Sequence, residues 1–492
     1  MAGPDISQFL KSNLAPLLFL VAVFLICTFP IQEGDIFIYL AMGREFFRTS
    51  QFPQTDIFIH SLQNHPWHIL HEWGAFALSY MIYVVGGYTA LILIKASAVT
   101  FLFAAGFWFS RVLSLNSLVF VLFAGLAIKA SLFRLFERSS LYTDIVSAII
   151  LALILLENRR PSRFFKFIPL LFLVWVNIHP GFPIGLFLLG VFILVNFLTG
   201  NLVPIKNHLK TLALSTLACL ANPRGIYGAL FPFDFFNSNG DFLAANIYEF
   251  MSTLNPLFRT RWEVYTLIIQ YLICLGLLIA NKKSKPWFEV IVLVFFVYLG
   301  LAHFRSVTTA AFSMMILNIG LASHLEIFRR QAGLIWASPF LVALLFMLIK
   351  IPLSGYTYGG DLTRKMGFGL DQRIFTSESV QAFEALPTTA NVFNSFSLGC
   401  YLPWMWDGKR KVVYDCNDDA PELYMDTYGK VALSQDHLSY VVNKYNIGFF
   451  IISLTPSELP LIYLLHDRPE WKLHFHDGAT ALFVRKDLLK DY

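Results

Sequence analysis

Asp35 stands directly behind the first long apolar run, in GDIFIYLAMGREFF, and Asp56 follows in PQTDIFIH. A carboxylate in such a place can take a proton from an acceptor hydroxyl or hold a divalent metal. Each also has a structural explanation, Asp35 as a helix cap and Asp56 as a turn residue after Pro and Thr. His65, His68, His71 and Glu72 come next, and spacings of three and four bring His68, His71 and Glu72 toward one helix face. An interfacial helix explains that spacing better than a zinc site does.

Further along, Arg134, Glu137 and Arg138 cap one apolar run. Asn177 and His179 end another in WVNIHPGF, Asn222 and Arg224 end a third in ANPRG, and His303 and Arg305 end a fourth in LAHFRS. Arginine binds phosphate through paired hydrogen bonds. Taken singly, these residues are caps and anchors. Taken together, carboxylates and arginines gathered at one membrane face are costly and ask for a shared reason. A sugar phosphate carried on a membrane lipid supplies one: the carboxylate serves the acceptor and the arginines hold the leaving phosphate. There is no HExxH, CxxC pair, Walker loop or recognisable Ser-His-Asp set, and nothing suggests nucleic-acid binding.

The elements that must position these groups are membrane spans. Of the 492 residues, 56% are hydrophobic and 14% charged, against roughly 25% charged in soluble domains. Apolar runs near the ~20 residues that cross a hydrocarbon core recur through the first 350 residues. Spans are expected near 14–30, 88–109, 116–132, 141–156, 167–179, 182–198, 211–223, 263–280, 287–303, 308–323 and 333–350. Residues 14–30 have no small-residue cleavage site behind them and read as a retained first span.

Arg111, Arg159, Arg160, Arg163, Lys166, Lys206, Lys210, Lys282, Lys283, Lys285, Arg329 and Arg330 all fall in alternate connections. One orientation places every one of them inside, with the N-terminus inside and the C-terminus outside. This requires 66–85 (PWHILHEWGAFALSYMIYVV) to rest at the outer interface as a helix, since a further span there would reverse the later loops. Labelling of position 160 from the exterior would overturn the arrangement. From 351 onward the chain reads as a small α/β domain outside the membrane. Strands are expected at Asn391–Phe396, Lys411–Asp415, Ile447–Ser453 and Ala479–Arg485, and helices at Ser377–Leu386 and Asp436–Asn443. The expectation is a mostly α, polytopic membrane protein: residues 1–350 with an outer loop at 31–87, then the α/β domain 351–492.

This layout resembles the bacterial GT-C-fold membrane glycosyltransferases, which take sugars from polyprenyl-phosphate carriers. A span, an acidic motif in a large first outer loop (GDIFIYLAMGREFF, PQTDIFIH) and interfacial helices (HPWHILHEWGAFALSY) follow that pattern. RLFERSSLYTDI, WVNIHPGF, NPRG, VFNSFSLGCYLPW, KVVYDCNDD and WKLHFHDGATALFVRK are similar to segments of one group of bacterial members. The resemblance implies Asp35 as base or metal ligand with Asp56 second. On the glycosyltransferase reading of the residues themselves, Arg134, Arg138 and Arg305 are expected to bind the phosphate, with His71, Glu72, Asn177 and His179 at the substrate site. The resemblance further implies a polyprenyl-phosphate sugar donor, a glycan, lipid or protein acceptor, and a bacterial inner-membrane location. The cofactor is a divalent metal (Mg or Mn) or none: members often carry two adjacent acidic residues, whereas Ile36 follows Asp35 here, and a metal-independent transfer needs one base. Where similar proteins read Gly-Gly-Tyr-Leu and Asp-Gly-Arg, this chain has Cys400 and Cys416, a candidate disulfide in an exported domain. A transporter or flippase is a second reading, but its internal repeats are not seen. A non-catalytic assembly factor that keeps the GT-C shell is a third.

Overall fold

The computed structural model describes residues 6–62, 71–201, 205–281, 286–329, 334–359, 362–386, 390–415 and 420–489. His65, His68, Lys282, Lys283, Lys285, Arg330 and Cys416, singled out above, lie outside them. The described chain divides into two compact units, Met1–Pro30 with Ile92–Phe368, and Ile31–Leu91 with Gly369–Tyr492.

The helices of the first part of the chain are α1 (Ile6–Cys27), α2 (Asp35–Thr49), α3 (Trp73–Val112), α4 (Ser117–Ser131), α5 (Ser140–Arg159), α6 (Ile168–Ile178), α7 (Pro183–Leu198), α8 (Ile205–Ala218) and α9 (Ile226–Asn246). They continue as α10 (Trp262–Ala280), α11 (Trp287–Ala302), α12 (Val307–Ala322) and α13 (Leu334–Ser354). Among the described residues, five helical stretches are long and apolar enough to cross a membrane: Trp73–Val112, Ser117–Arg134, Ser140–Arg159, Trp262–Ala280 and Phe304–Ala322. Five shorter apolar helices accompany them: Asn13–Cys27, Phe165–Ile178, Pro183–Leu198, Trp287–Ala302 and Ser338–Ser354. Every expected span thus has a helix in its place. In the place of 211–223, α8 starts earlier, at Ile205, and stops at Ala218.

The first unit packs around α12, whose sixteen residues are all buried and which lies against α4, α5, α10 and α11. Its position explains its composition. Thr308, Thr309, Ser313 and Asn318 would be costly facing lipid but here face protein. Caps set the helix starts: Asn116 accepts a hydrogen bond from the Leu118 N–H at 2.8 Å, opening α4, and prolines stand in the first turns of α6 and α7. A short hairpin, β1 (Tyr356–Tyr358) with β2 (Leu362–Arg364), closes this unit.

In the second unit, α3 opens with a piece that is broken at Gly86 and Gly87. Gly87 has φ 60° and ψ −156°, a region open essentially to glycine alone. The helix expected over 66–85 is therefore present from Trp73 as a piece distinct from the residues after Gly87. The Tyr39 ring, on α2, packs at a tilt against Phe76, with centroids 5.4 Å apart.

The C-terminal segment carries α14 (Glu378–Glu384), β3 (Asn391–Asn394), α15 (Tyr401–Met405), α16 (Pro421–Tyr424), α17 (Gln435–Lys444), β4 (Ile447–Ser453), α18 (Leu459–His466), β5 (Trp471–His476) and β6 (Thr480–Arg485). The sheet order is β3-β4-β6-β5, with β3 parallel to β4 and the other pairs antiparallel. All seven residues of β4 are buried, as its unbroken apolar run requires of a central strand. The strand expected at Lys411–Asp415 is not one. Only Val412 pairs, with Ile59. The Asn394 side chain takes the neighbouring backbone groups instead, accepting from the Val413 N–H at 3.0 Å and donating to the Tyr414 carbonyl at 2.9 Å.

Candidate functional site

In the first unit, three short 3-10 turns meet at the end of the bundle where α4 stops and α5 and α12 begin: Leu132–Arg134, Tyr248–Phe250 and Phe304–Ser306. Each carries a charged side chain. Glu249 lies between two guanidinium groups, its Oε2 2.7 Å from Arg134 Nη1 and its Oε1 2.6 Å from Arg138 Nη1. Arg134 is almost completely buried and also donates to Ser140 Oγ at 3.3 Å. The Arg305 guanidinium lies 4.3 Å above the Phe250 ring. Burial works against ionisation of Glu249, yet the charges of Arg134, Arg138 and Arg305 overcome it and hold the carboxyl well below the usual range. A carboxylate so strongly held as an anion is a poor proton acceptor.

The segment that carries Arg134 and Arg138 is fixed from behind. Glu137 pairs with Lys95 of α3 at 2.7 Å, with both side chains buried. Arg364, on β2, donates to the Leu132 carbonyl. Lys95 Nζ and the Arg364 guanidinium both lie over the Phe29 ring, at 3.4 and 4.2 Å. One turn into α5, Asp144 is buried and accepts a hydrogen bond from Thr309 of α12.

His179 belongs to a different local network of the same unit. The Trp175 indole N–H donates to Thr143 Oγ1 at 2.7 Å, and that hydroxyl lies 2.7 Å from His179 Nδ1. The Gly181 N–H also donates to Nδ1, at 3.1 Å. An amide N–H can only donate, so Nδ1 is an acceptor and the ring proton sits on Nε2. Gly181 is needed here because a Cβ would run into Thr143. The Asn177 amide donates to the Leu173 and Ala221 carbonyls, both at 2.8 Å, tying the end of α6 to the NPRG turn.

In the second unit, Asp35 is the first residue of α2. Asp56 is buried, and its Oδ1 accepts from the Phe58 and Ile59 N–H groups at 2.7 and 3.2 Å, the turn role its sequence context suggests. That turn presents 58–61 to the C-terminal segment: Val412 N–H donates to the Phe58 carbonyl at 2.8 Å, and His60 N–H donates to the Val412 carbonyl at 3.0 Å. His71 Nε2 lies 3.8 Å from Glu72 Oε1, with both side chains largely buried. Among the described residues, no three His, Cys, Asp or Glu side chains are grouped to hold a metal ion. Cys400 is disulfide-bonded, while Cys27, Cys219 and Cys274 are free and buried.

Neither a comparison with family models nor one with curated proteins finds a match. Solved structures do match. The archaeal oligosaccharyltransferase AglB of Archaeoglobus fulgidus, in complex with an inhibitory peptide and a dolichol-phosphate, superposes with a TM-score of 0.58 at 11% identity, covering 96% of this chain and 74% of that one. ArnT of Cupriavidus metallidurans bound to undecaprenyl phosphate gives 0.52 at 12% identity, covering 98% of each chain. The apo state of ArnT gives 0.53 at 13% identity, covering 97% of this chain and 98% of that one. The chain has the GT-C fold. Within its first unit, the GT-C shell brings together Arg134, Arg138 and Arg305 from the expected set. It adds Glu249, Asp144 and Lys95, which sequence reasoning did not single out. Lys95 and Asp144 did carry a signal, since each is an ionisable residue inside an apolar run. Glu249 carried none: its partners are more than 100 residues away in the chain.

Proposed function

We propose that the chain is a membrane glycosyltransferase that moves a sugar from a polyprenyl phosphate to an acceptor hydroxyl on the non-cytoplasmic side of a bacterial inner membrane. The observation that carries the reading is the convergence of Arg134, Arg138 and Arg305 on one anionic position at the end of the first unit. The GT-C fold supports it, because structures of that fold hold dolichol-phosphate and undecaprenyl phosphate.

In the proposed reaction the acceptor oxygen attacks the anomeric carbon of the sugar. The new glycosidic bond forms as the bond from that carbon to the phosphate oxygen breaks, and the bonding electron pair leaves with the phosphate. Asp35 takes the acceptor proton. The arginines stabilise the growing negative charge on the departing polyprenyl phosphate, an interaction stronger in the transition state than in the bound donor. The acceptor is a glycan, a lipid or a protein.

The test uses the full-length protein in proteoliposomes with polyprenyl-phosphate sugars, reading released polyprenyl phosphate by mass spectrometry. Asp35→Asn is expected to abolish release while the protein unfolds at the wild-type temperature. A folded Asp35→Asn protein that keeps full transfer would sink the assignment.

A further inference from the structure

We propose that Glu249 is a positioning residue that occupies the anion seat between Arg134 and Arg138, so that a phosphate-bearing lipid binds only by displacing the Glu249 carboxylate. The inference rests on the reading that these arginines bind the donor phosphate.

The geometry is that of an anion already in place. A carboxylate offers two oxygens on one central atom, and here each oxygen meets a different guanidinium, at 2.7 and 2.6 Å. A phosphate presents oxygens in the same manner and competes for the same donors. The two sides of the contact are not equally fixed. Arg134 and Arg138 lie on a link held by the buried Lys95–Glu137 pair and by Arg364 on the Leu132 carbonyl. Glu249, like Arg134, sits on a three-residue turn, but its side chain keeps 28% of its exposure against 2% for Arg134 and 12% for Arg138. The carboxylate is therefore the exchangeable partner.

The exchange has a physical reason. An almost fully buried guanidinium without a counter-ion is strongly destabilising. Glu249 neutralises the seat while no ligand is there, and an incoming phosphate replaces one anion by another. The cost is affinity, because the competent, open seat is only a fraction of the population and apparent binding weakens by that fraction. The benefit is turnover, because the returning carboxylate helps expel the product phosphate.

The experiment measures saturable binding of undecaprenyl phosphate to the full-length protein in nanodiscs, for wild type, Glu249→Gln and Arg138→Gln. Glu249→Gln keeps the shape and removes the charge, and is expected to bind about tenfold tighter or more, with KM and kcat for transfer falling together. Arg138→Gln is expected to bind more weakly. If Glu249→Gln binds equally or more weakly while Arg138→Gln also loses binding, the seat proposal is overturned and the arginine reading stands. If Arg138→Gln binds as wild type does, or wild type shows no saturable binding, the arginine reading fails and this inference with it. A measurement on the wild type alone covers the case in which Glu249→Gln does not fold. Saturating undecaprenyl phosphate is expected to speed hydrogen exchange at residues 248–251, and unchanged or slower exchange there would overturn the proposal.

Discussion

The buried charges behind the arginine link are unequal in number, and this makes the two halves of the Lys95–Glu137 pair respond differently to removal. Lys95 and Arg364 both lie over the Phe29 ring, and Glu137 is the carboxylate paired with Lys95 at 2.7 Å. Deleting one partner of a buried ion pair costs about 3–5 kcal/mol. For Glu137→Gln that full cost is expected, since two cations are left over one ring without that carboxylate. For Lys95→Met the account differs. The two cations are at most about 8 Å apart through the ring, and at an effective dielectric near 20 their repulsion is about 2 kcal/mol. Removing Lys95 relieves that repulsion. Lys95→Met is therefore expected to cost about 1–3 kcal/mol, the difference between the two quantities. The assay is reversible unfolding of the full-length protein in mixed micelles, followed by tryptophan fluorescence. Glu137→Gln should also weaken undecaprenyl-phosphate binding, because residue 137 lies between the two arginines. If Lys95→Met proves as destabilising as Glu137→Gln, or more so, the charge count is wrong.

Two further outcomes follow from local networks. Thr143→Val removes the acceptor of the fully buried Trp175 indole N–H, while His179 Nδ1 keeps the Gly181 donor; one orphaned donor is expected to cost about 1–3 kcal/mol, and a variant that unfolds at the wild-type temperature would refute the network. Asp477 is opposed by burial, but hydrogen bonds from Thr376, from the Thr480 and Ala479 N–H groups and from the Thr480 hydroxyl prevail and hold its carboxyl below the ordinary value. A lowered folded-state pKa gives stability that is present above the unfolded value, about 3.9, and lost as pH falls through the folded one. Asp477→Asn is thus expected to lower the unfolding temperature at pH 7, with the difference from wild type shrinking as pH falls below about 3.9; a difference that stays the same size as pH falls would show that charge is not its source.

Hydropathy carries the helical shell because the requirement it reports is local: a backbone crossing hydrocarbon must satisfy its own hydrogen bonds and clothe them in apolar side chains. The same holds for β4, whose continuous run IGFFIIS is buried along its whole length. Where local pattern and tertiary demand part, the sequence misleads. Lys411–Asp415 reads as a strand, yet Asn394 takes its backbone groups with a side chain. The reverse happens at β5, where Lys472 and His474 are exposed on an edge strand that carries little apolar signal. The segment between α2 and α3 joins the C-terminal segment through Phe58, His60 and Val412, a pairing across some 350 residues that no window of sequence can contain.

The arginines were legible for a related reason, and the carboxylate that answers them was not. An arginine at the end of an apolar run stands out against its neighbours. Glu249 sits in NIYEFMSTLNP, a connection between helices, where a glutamate is unremarked. It gains meaning only when chain folding sets it between Arg134 and Arg138. Reading arginines alone suggests an open, strongly positive site. With Glu249 included, the site is partly neutralised when empty. That distinction matters physically, because buried guanidinium groups with no counter-ion would destabilise the bundle end that must hold them. On the proposed reading of these arginines as a phosphate site, the internal anion supplies the counter-charge of the resting state, and the position of Glu249 bears on how tightly a charged lipid is held.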